Sequence, residues 1–179
     1  MDETGSNIAL TRLYSRAKVG KRAVGKAPRN QGKNLTIAGA IAIDGVRAMM
    51  AYEGGTTRFA FQRFLRDALV PSLHAGDAVV MDNLSSHHSD GVRQLIESVG
   101  ASVLYLPAYS PELNPIEMTW SKLKALLRRI GARTLRTLAA AVKQSSSEIS
   151  TTDLNGWFRH CGYLAQSECG ALYGAHHLS

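Results

Sequence analysis

The spacing of apolar side chains predicts an alternation of strands and helices. Residues 34–44 alternate large apolar with small or polar positions, as a half-buried strand does. Asp44-Gly45 is a hairpin signal that returns the chain through residues 46–53. After Gly54-Gly55-Thr56, Phe61, Leu65, Ala68 and Leu69 recur at i, i+4, i+7 and i+8, a core-facing helix stripe ending near Pro71. Residues 78–81 are a continuous apolar run closed by Asp82, the pattern of a strand buried on both faces in a parallel sheet. Residues 89–98 are helical in spacing, with Val92, Leu95, Ile96 and Val99 apolar and Gly100 as the stop. Residues 102–106 form another buried strand. A loop stiffened by Pro107 and Pro111 leads to a helix start at Asn114-Pro115, after which Ile116, Trp120, Leu123, Leu127 and Ile130 mark one face up to Gly131. Further helices are expected from about Thr134 and over residues 153–164. Residues 3–7 read as a turn, and residues 16–33 as a basic, glycine-rich arm or loose hairpin.

This order places the chain in the α/β class, as a mixed sheet covered by helices. The hairpin supplies an antiparallel section and the strand–helix–strand units a parallel one. Composition agrees: 179 residues, 45% hydrophobic and 20% charged, suit one globular domain and exclude wholesale disorder. No apolar run is long enough to span a bilayer, so no membrane role is expected. Met-Asp-Glu-Thr-Gly has neither the basic nor the apolar region of a signal peptide. Two cysteines, Cys161 and Cys169, exclude a disulfide framework and point to a cytoplasmic setting.

The formal net charge of +7 is unevenly placed. Residues 1–35 carry eight basic and two acidic side chains, and residues 118–143 seven basic and none acidic; residues 36–117 between them carry five basic and nine acidic. Basic blocks attract polyanions by counterion release, and an acidic centre between them suits a cation.

Three carboxylates stand where chemistry collects. Asp82 follows a buried strand at its C-terminal end, the edge where open α/β sheets bind ligands. Glu117 opens a helix, and Asp2 stands beside the first turn. Hard carboxylate oxygens suit Mg²⁺, which takes one or two per ion together with water and phosphate. Each has a plainer reading: Glu117 as the third residue of a capping box begun by Asn114, Asp82-Asn83 as a turn pair, Asp2 as a solvated terminal residue. His87 and His88 are candidate ligands or exposed loop residues, and the cysteines and neighbouring histidines lack zinc spacing.

Val80-Met-Asp82-Asn83-Leu-Ser-Ser-His87 and Leu106-Pro-Ala-Tyr-Ser-Pro-Glu-Leu-Asn114-Pro115-Ile-Glu117-Met-Thr-Trp120-Ser-Lys122-Leu-Lys124 resemble the catalytic domain of DDE transposases. They are most similar to the insertion-sequence branch called IS six-thirty within the Tc/mariner superfamily. Thirty-four residues separate Asp82 from Glu117, the spacing of that superfamily, and Asp2-Glu3-Thr4-Gly5 resembles its first-aspartate segment. The resemblance implies a ribonuclease-H-like mixed five-stranded sheet with helices on both faces. The resemblance runs from Asp2 to about Arg129, and the expected division is a catalytic domain over residues 1–150 with a helical extension and tail over 151–179. It also implies metal-dependent DNA cleavage at transposon ends and strand transfer, with Asp2, Asp82 and Glu117 as catalytic residues and ligands of two Mg²⁺ ions, Mn²⁺ able to substitute. Asn83, His87 and Asn114 would lie near that site.

Lys122, Lys124, Arg128 and Arg129, with Lys21, Arg22 and Lys26 in the arm, would contact phosphates. The expected partners are double-stranded DNA, a second copy in a homodimer or higher synaptic complex, and an N-terminal helix-turn-helix frame. The expected location is a prokaryotic nucleoid. Only Met1 precedes Asp2, so the first strand is expected to be truncated and the chain to be the second frame of a split gene or a remnant. The rival expectations are an inactive DNA-binding remnant and another ribonuclease-H-like nuclease.

Overall fold

The computed structural model describes residues 1–83 and 90–163. In chain order the elements are β1 (Asp2–Ser6), β2 (Leu35–Ala42), β3 (Gly45–Glu53), α1 (Arg58–Phe64), β4 (Ala78–Met81), α2 (Asp90–Glu97), β5 (Ser102–Tyr105), α3 (Ile116–Ile130), α4 (Leu135–Ser146) and α5 (Thr151–His160). After Phe64 the α1 helix widens into a π-turn over Leu65–Leu69 and tightens into a 3-10 turn over Val70–Ser72 at Pro71. His87, His88 and the start of the helix expected from residue 89 lie outside the described residues, as do Leu164 and the tail.

The expected strands form two ladders. In the first, β1 and β3 flank β2, both antiparallel to it, with Asp2 opposite Gly39 and a bulge between Ala40 and Ile41. In the second, β4 runs parallel to β5. The Met1 nitrogen donates to the Val80 carbonyl at 2.6 Å and so connects the start of β1 with β4.

The period-two alternation of β2 divides the core. Ala38 and Ala40 face a cluster containing Phe61, Phe64, Leu65, Leu69, Val92 and Ile96, supplied by α1 with its π-turn and by α2. Leu35 and Ile37 face Ile116, Trp120, Leu123, Leu127 and Leu138, supplied by α3 and α4. The sheet therefore carries helices on both faces, as expected. Burying one such leucine contributes about 1.5–3 kcal/mol.

Four local expectations are corrected. Residues 3–7, read as a turn, belong to β1 up to Ser6: pairing with β2 satisfies a backbone that the short polar side chains did not announce. Of the two readings of residues 16–33, the hairpin is overturned, since no strand pairs there, while nearly all of their side chains are exposed as in an arm. Helix α5 starts at Thr151 rather than Asp153, because Ser150 caps it and Asp153 completes the capping box. Ile130, placed on the core face of α3, is 39% exposed in the last turn before left-handed Gly131. Among the described residues no helix is long and apolar enough to cross a membrane.

Candidate active site

Each of the three carboxylates is placed by a different element. Asp2 begins β1 and is 7% exposed. Its cross-strand partner Gly39 has no side chain, and the Trp120 ring occupies that space: a β-carbon on Gly39 would come within 2.7 Å of Trp120 Cη2. From there the indole Nε1–H donates to Asp2 Oδ2 at 3.1 Å. Asp82 directly follows β4, where buried Met81 anchors the end of the strand. Glu117 lies in the first turn of α3, where the helix dipole favours an anion.

The capping-box reading of Glu117 is corrected. The residue capping α3 is Pro115, with no side-chain cap bond, and the Asn114 contribution is a backbone one: its carbonyl accepts from the Glu117 N–H at 3.2 Å. Proline at the cap leaves that peptide without an N–H to satisfy, so the cap needs less help there.

Asp2, Asp82 and Glu117 line one cavity of about 370 Å³ together with Asn83, Asn114 and the loop from Leu106 to Pro111. Among the described lining residues none is basic. The Asp2 carboxyl is pushed up to about 6 by burial, with the charges of Asp82 and Glu117 adding to the rise; hydrogen bonds from Glu3 and Trp120 only partly offset it. Hard oxygens and three acids on one cavity, with no basic side chain among its described lining residues, fit a divalent cation such as Mg²⁺ or Mn²⁺. Among the described residues no three of His, Cys, Asp and Glu converge on one point as a closed ligand set.

The basic residues expected along α3 divide into two kinds. Lys122 is ion-paired with Asp153 of α5, and Arg129 with Glu148 at 2.6 Å. Among the described residues Lys124 and Arg128 form no ion pair, and they share the α3 face of Glu117 and Ser121 by helical spacing. Lys21, Arg22 and Lys26 are exposed in the segment between β1 and β2. Asn83 and Asn114 line the same cavity.

Three contributors went unread in the sequence. Trp120 was assigned to the core, yet it also holds Asp2. Gly39 inside an otherwise apolar strand was the available signal for the close approach. Tyr109 lines the cavity, is fully exposed, and is the one non-glycine residue with positive φ among the described residues, at 59°. That left-handed backbone costs an L-residue roughly 1–2 kcal/mol.

Comparison with known proteins bears on the fold and the family. No curated protein sequence matches the chain. Among solved structures, the Mos1 mariner paired end complex with Mn matches at TM-score 0.65 and 20% identity, over 99% of this chain and 55% of that one. The Mos1 strand transfer complex gives the same figures. The Mos1 transposase catalytic domain with Raltegravir and Mg matches at TM-score 0.58 and 18% identity, over 82% of this chain and 79% of that one. At such identities the likeness shows a shared fold, the ribonuclease-H-like one, and the chain spans about 55% of the length of the paired-end protein. The family model described as DDE superfamily endonuclease matches residues 1–139, and on that match this chain belongs to the DDE superfamily endonucleases.

Proposed function

We propose that the chain is the catalytic domain of a transposase of the Tc/mariner type that cuts DNA at transposon ends and joins the freed 3′-hydroxyls to target DNA. The observation that carries this reading is that Asp2, Asp82 and Glu117, from three separate elements, line one cavity with no basic residue among its described lining. Those three carboxylates would hold two Mg²⁺ ions, with Mn²⁺ as a substitute. Bound there, the ions would activate the attacking oxygen and neutralise charge on the leaving one.

The chain's own residues do the rest. Trp120 fixes the Asp2 carboxylate by one hydrogen bond and by the shape of its ring against Gly39. Buried Asn114 and the proline loop complete the lining of the cavity. Lys124 and Arg128 continue the Glu117 face of α3 as a cationic track for the phosphates flanking the cleaved bond. Exposed Lys21, Arg22 and Lys26 provide a second set of phosphate contacts.

The similar solved proteins are a paired end complex and a strand transfer complex, which supports DNA as the substrate and a synaptic assembly of two or more copies. An N-terminal helix-turn-helix partner would supply recognition of the transposon ends.

The test is nicking of supercoiled and linear DNA with Mg²⁺ or Mn²⁺ by the wild-type chain and by Glu117→Gln, each alone and with a helix-turn-helix frame supplied. Cleavage that requires metal and disappears in Glu117→Gln is expected. Equal cleavage by both proteins, or cleavage unaffected by chelator, refutes the assignment.

A further inference from the structure

Pro111–Leu113 form a single 3-10 turn, and Asn114 and Pro115 link it to α3. This link borders two cavities. Pro111, Asn114 and Glu117 line the carboxylate cavity, while Asn114, Pro115 and Ile116 also line a second cavity of about 690 Å³. Inside the turn the Leu113 N–H donates to the Ser110 carbonyl at 3.2 Å and the Asn114 N–H to the Pro111 carbonyl at 3.0 Å. Those bonds shape the turn but tie it to nothing distant. Among the described residues one hydrogen bond reaches it from elsewhere in the chain: the Tyr163 hydroxyl donates to the Leu113 carbonyl at 3.1 Å.

The sequence around Tyr163 fixes where that hydroxyl lies. Helix α5 ends at His160, and Gly162 reverses the chain at φ 86°. The Gly162 N–H then donates to the Arg159 carbonyl at 3.0 Å and the Tyr163 N–H to the Phe158 carbonyl at 2.8 Å, the paired bonds of a Schellman motif. The Phe158 and Tyr163 rings meet edge to face with centroids 5.9 Å apart, the apolar contact that accompanies such an ending. Helix α5 is itself docked: Leu154 is fully buried, and Asp153 pairs with Lys122 of α3. The family match ends at residue 139, before α5 begins.

Resting on the nuclease reading above, we propose that Tyr163 is a positioning residue for the carboxylate site: its hydroxyl braces the link before α3 and so fixes Glu117 in relation to Asp2 and Asp82. The Asn114 carbonyl accepts from the Glu117 N–H at 3.2 Å, so a shift of the link passes directly into the first turn of α3. Helix α5 thereby serves the site although none of its side chains is among the described lining of the carboxylate cavity. Tyr163 touches neither metal nor DNA and takes no part in bond making.

The test compares the full chain with Tyr163→Phe, which keeps the ring against Phe158 and removes the hydroxyl alone. Amide hydrogen exchange is measured in chelator. Loss of one hydrogen bond should speed exchange at Leu113, Asn114 and Glu117 by about 2- to 10-fold, while β2 and α4 exchange as in wild type. In DNA nicking with Mn²⁺ the same variant should lose about 10- to 100-fold in kcat at an unchanged KM for DNA, since the proposed phosphate contacts lie on α3 and in the arm. Unchanged exchange at those three amides, an equal rise over the whole chain, or a local rise with wild-type kcat overturns the proposal. A wild-type chain that fails to nick counts against the proposed function, and the exchange result then decides the brace by itself.

Discussion

Replacing Asp2 by asparagine should stabilise the metal-free protein above neutral pH while removing its response to Mg²⁺. Asp2 is buried beside two further acids, and its carboxyl is pushed from 3.8 up to about 6. An acid whose folded-state pKa is raised binds its proton more tightly in the native state. Native stability therefore falls as pH rises from about 3.8 through 6, and the full penalty is present above that. At ~1.4 kcal/mol per pH unit the gap corresponds to about 3 kcal/mol, a ceiling because some water reaches the cavity. For a chain of this size each kcal/mol moves the melting temperature by about 2–4 °C, so the ceiling is about 6–12 °C. Asparagine keeps an oxygen to accept from Trp120 and removes the charge.

The assay is thermal unfolding of both proteins in chelator between pH 4 and pH 8, repeated with Mg²⁺. The variant should melt several degrees above wild type at pH 8 and nearly level with it at pH 4. Added Mg²⁺ should raise wild type alone. A difference independent of pH, or equal Mg²⁺ stabilisation of both proteins, would refute the reasoning.

Two further outcomes follow from the packing around the site. Gly39→Ala should cost about 1–3 kcal/mol, since the new β-carbon would press against the Trp120 ring, and Trp120→Phe should weaken Mg²⁺ binding by removing the N–H on Asp2; urea unfolding and metal titration check both, and unchanged Mg²⁺ affinity in Trp120→Phe refutes the positioning role. The Asp153 carboxyl is held down at about 2 by Lys122 and by Ser150, so its contribution to stability is present above about 3.8 and is lost as pH falls through 2. Lys122→Met should flatten that acid limb of the unfolding profile, and an unaltered limb would show that the pair contributes nothing.

Much of the architecture was legible because it is written in local periodicity. The alternation of residues 34–44, the apolar run ending at Asp82 and the stripe from Ile116 to Leu127 each correspond to an observed element. The Asn-Pro-Ile-Glu segment marked the start of α3, and side chains named in the sequence line the cavity. What failed was short or non-local. Residues 3–6 have no periodicity long enough to show a strand, and become one only because β2 offers its edge. Glu117 matched a capping box by spacing, but the chain enters α3 through Pro115 and leaves the carboxylate facing the cavity.

Charge placement divides in the same way. Counting showed two basic flanks around an acidic middle, and that is a property of composition. Which cations remain open to a phosphate depends on neighbours distant in sequence: α5 brings Asp153 to Lys122, and the turn before it brings Glu148 to Arg129. The residue types able to bind a metal and the elements carrying them follow from the order of side chains, because helix and strand periods repeat over a few residues. The burial that raises the Asp2 carboxyl and the indole that fits over Gly39 were decided by the tertiary structure alone, because each depends on surfaces brought together from more than thirty residues apart.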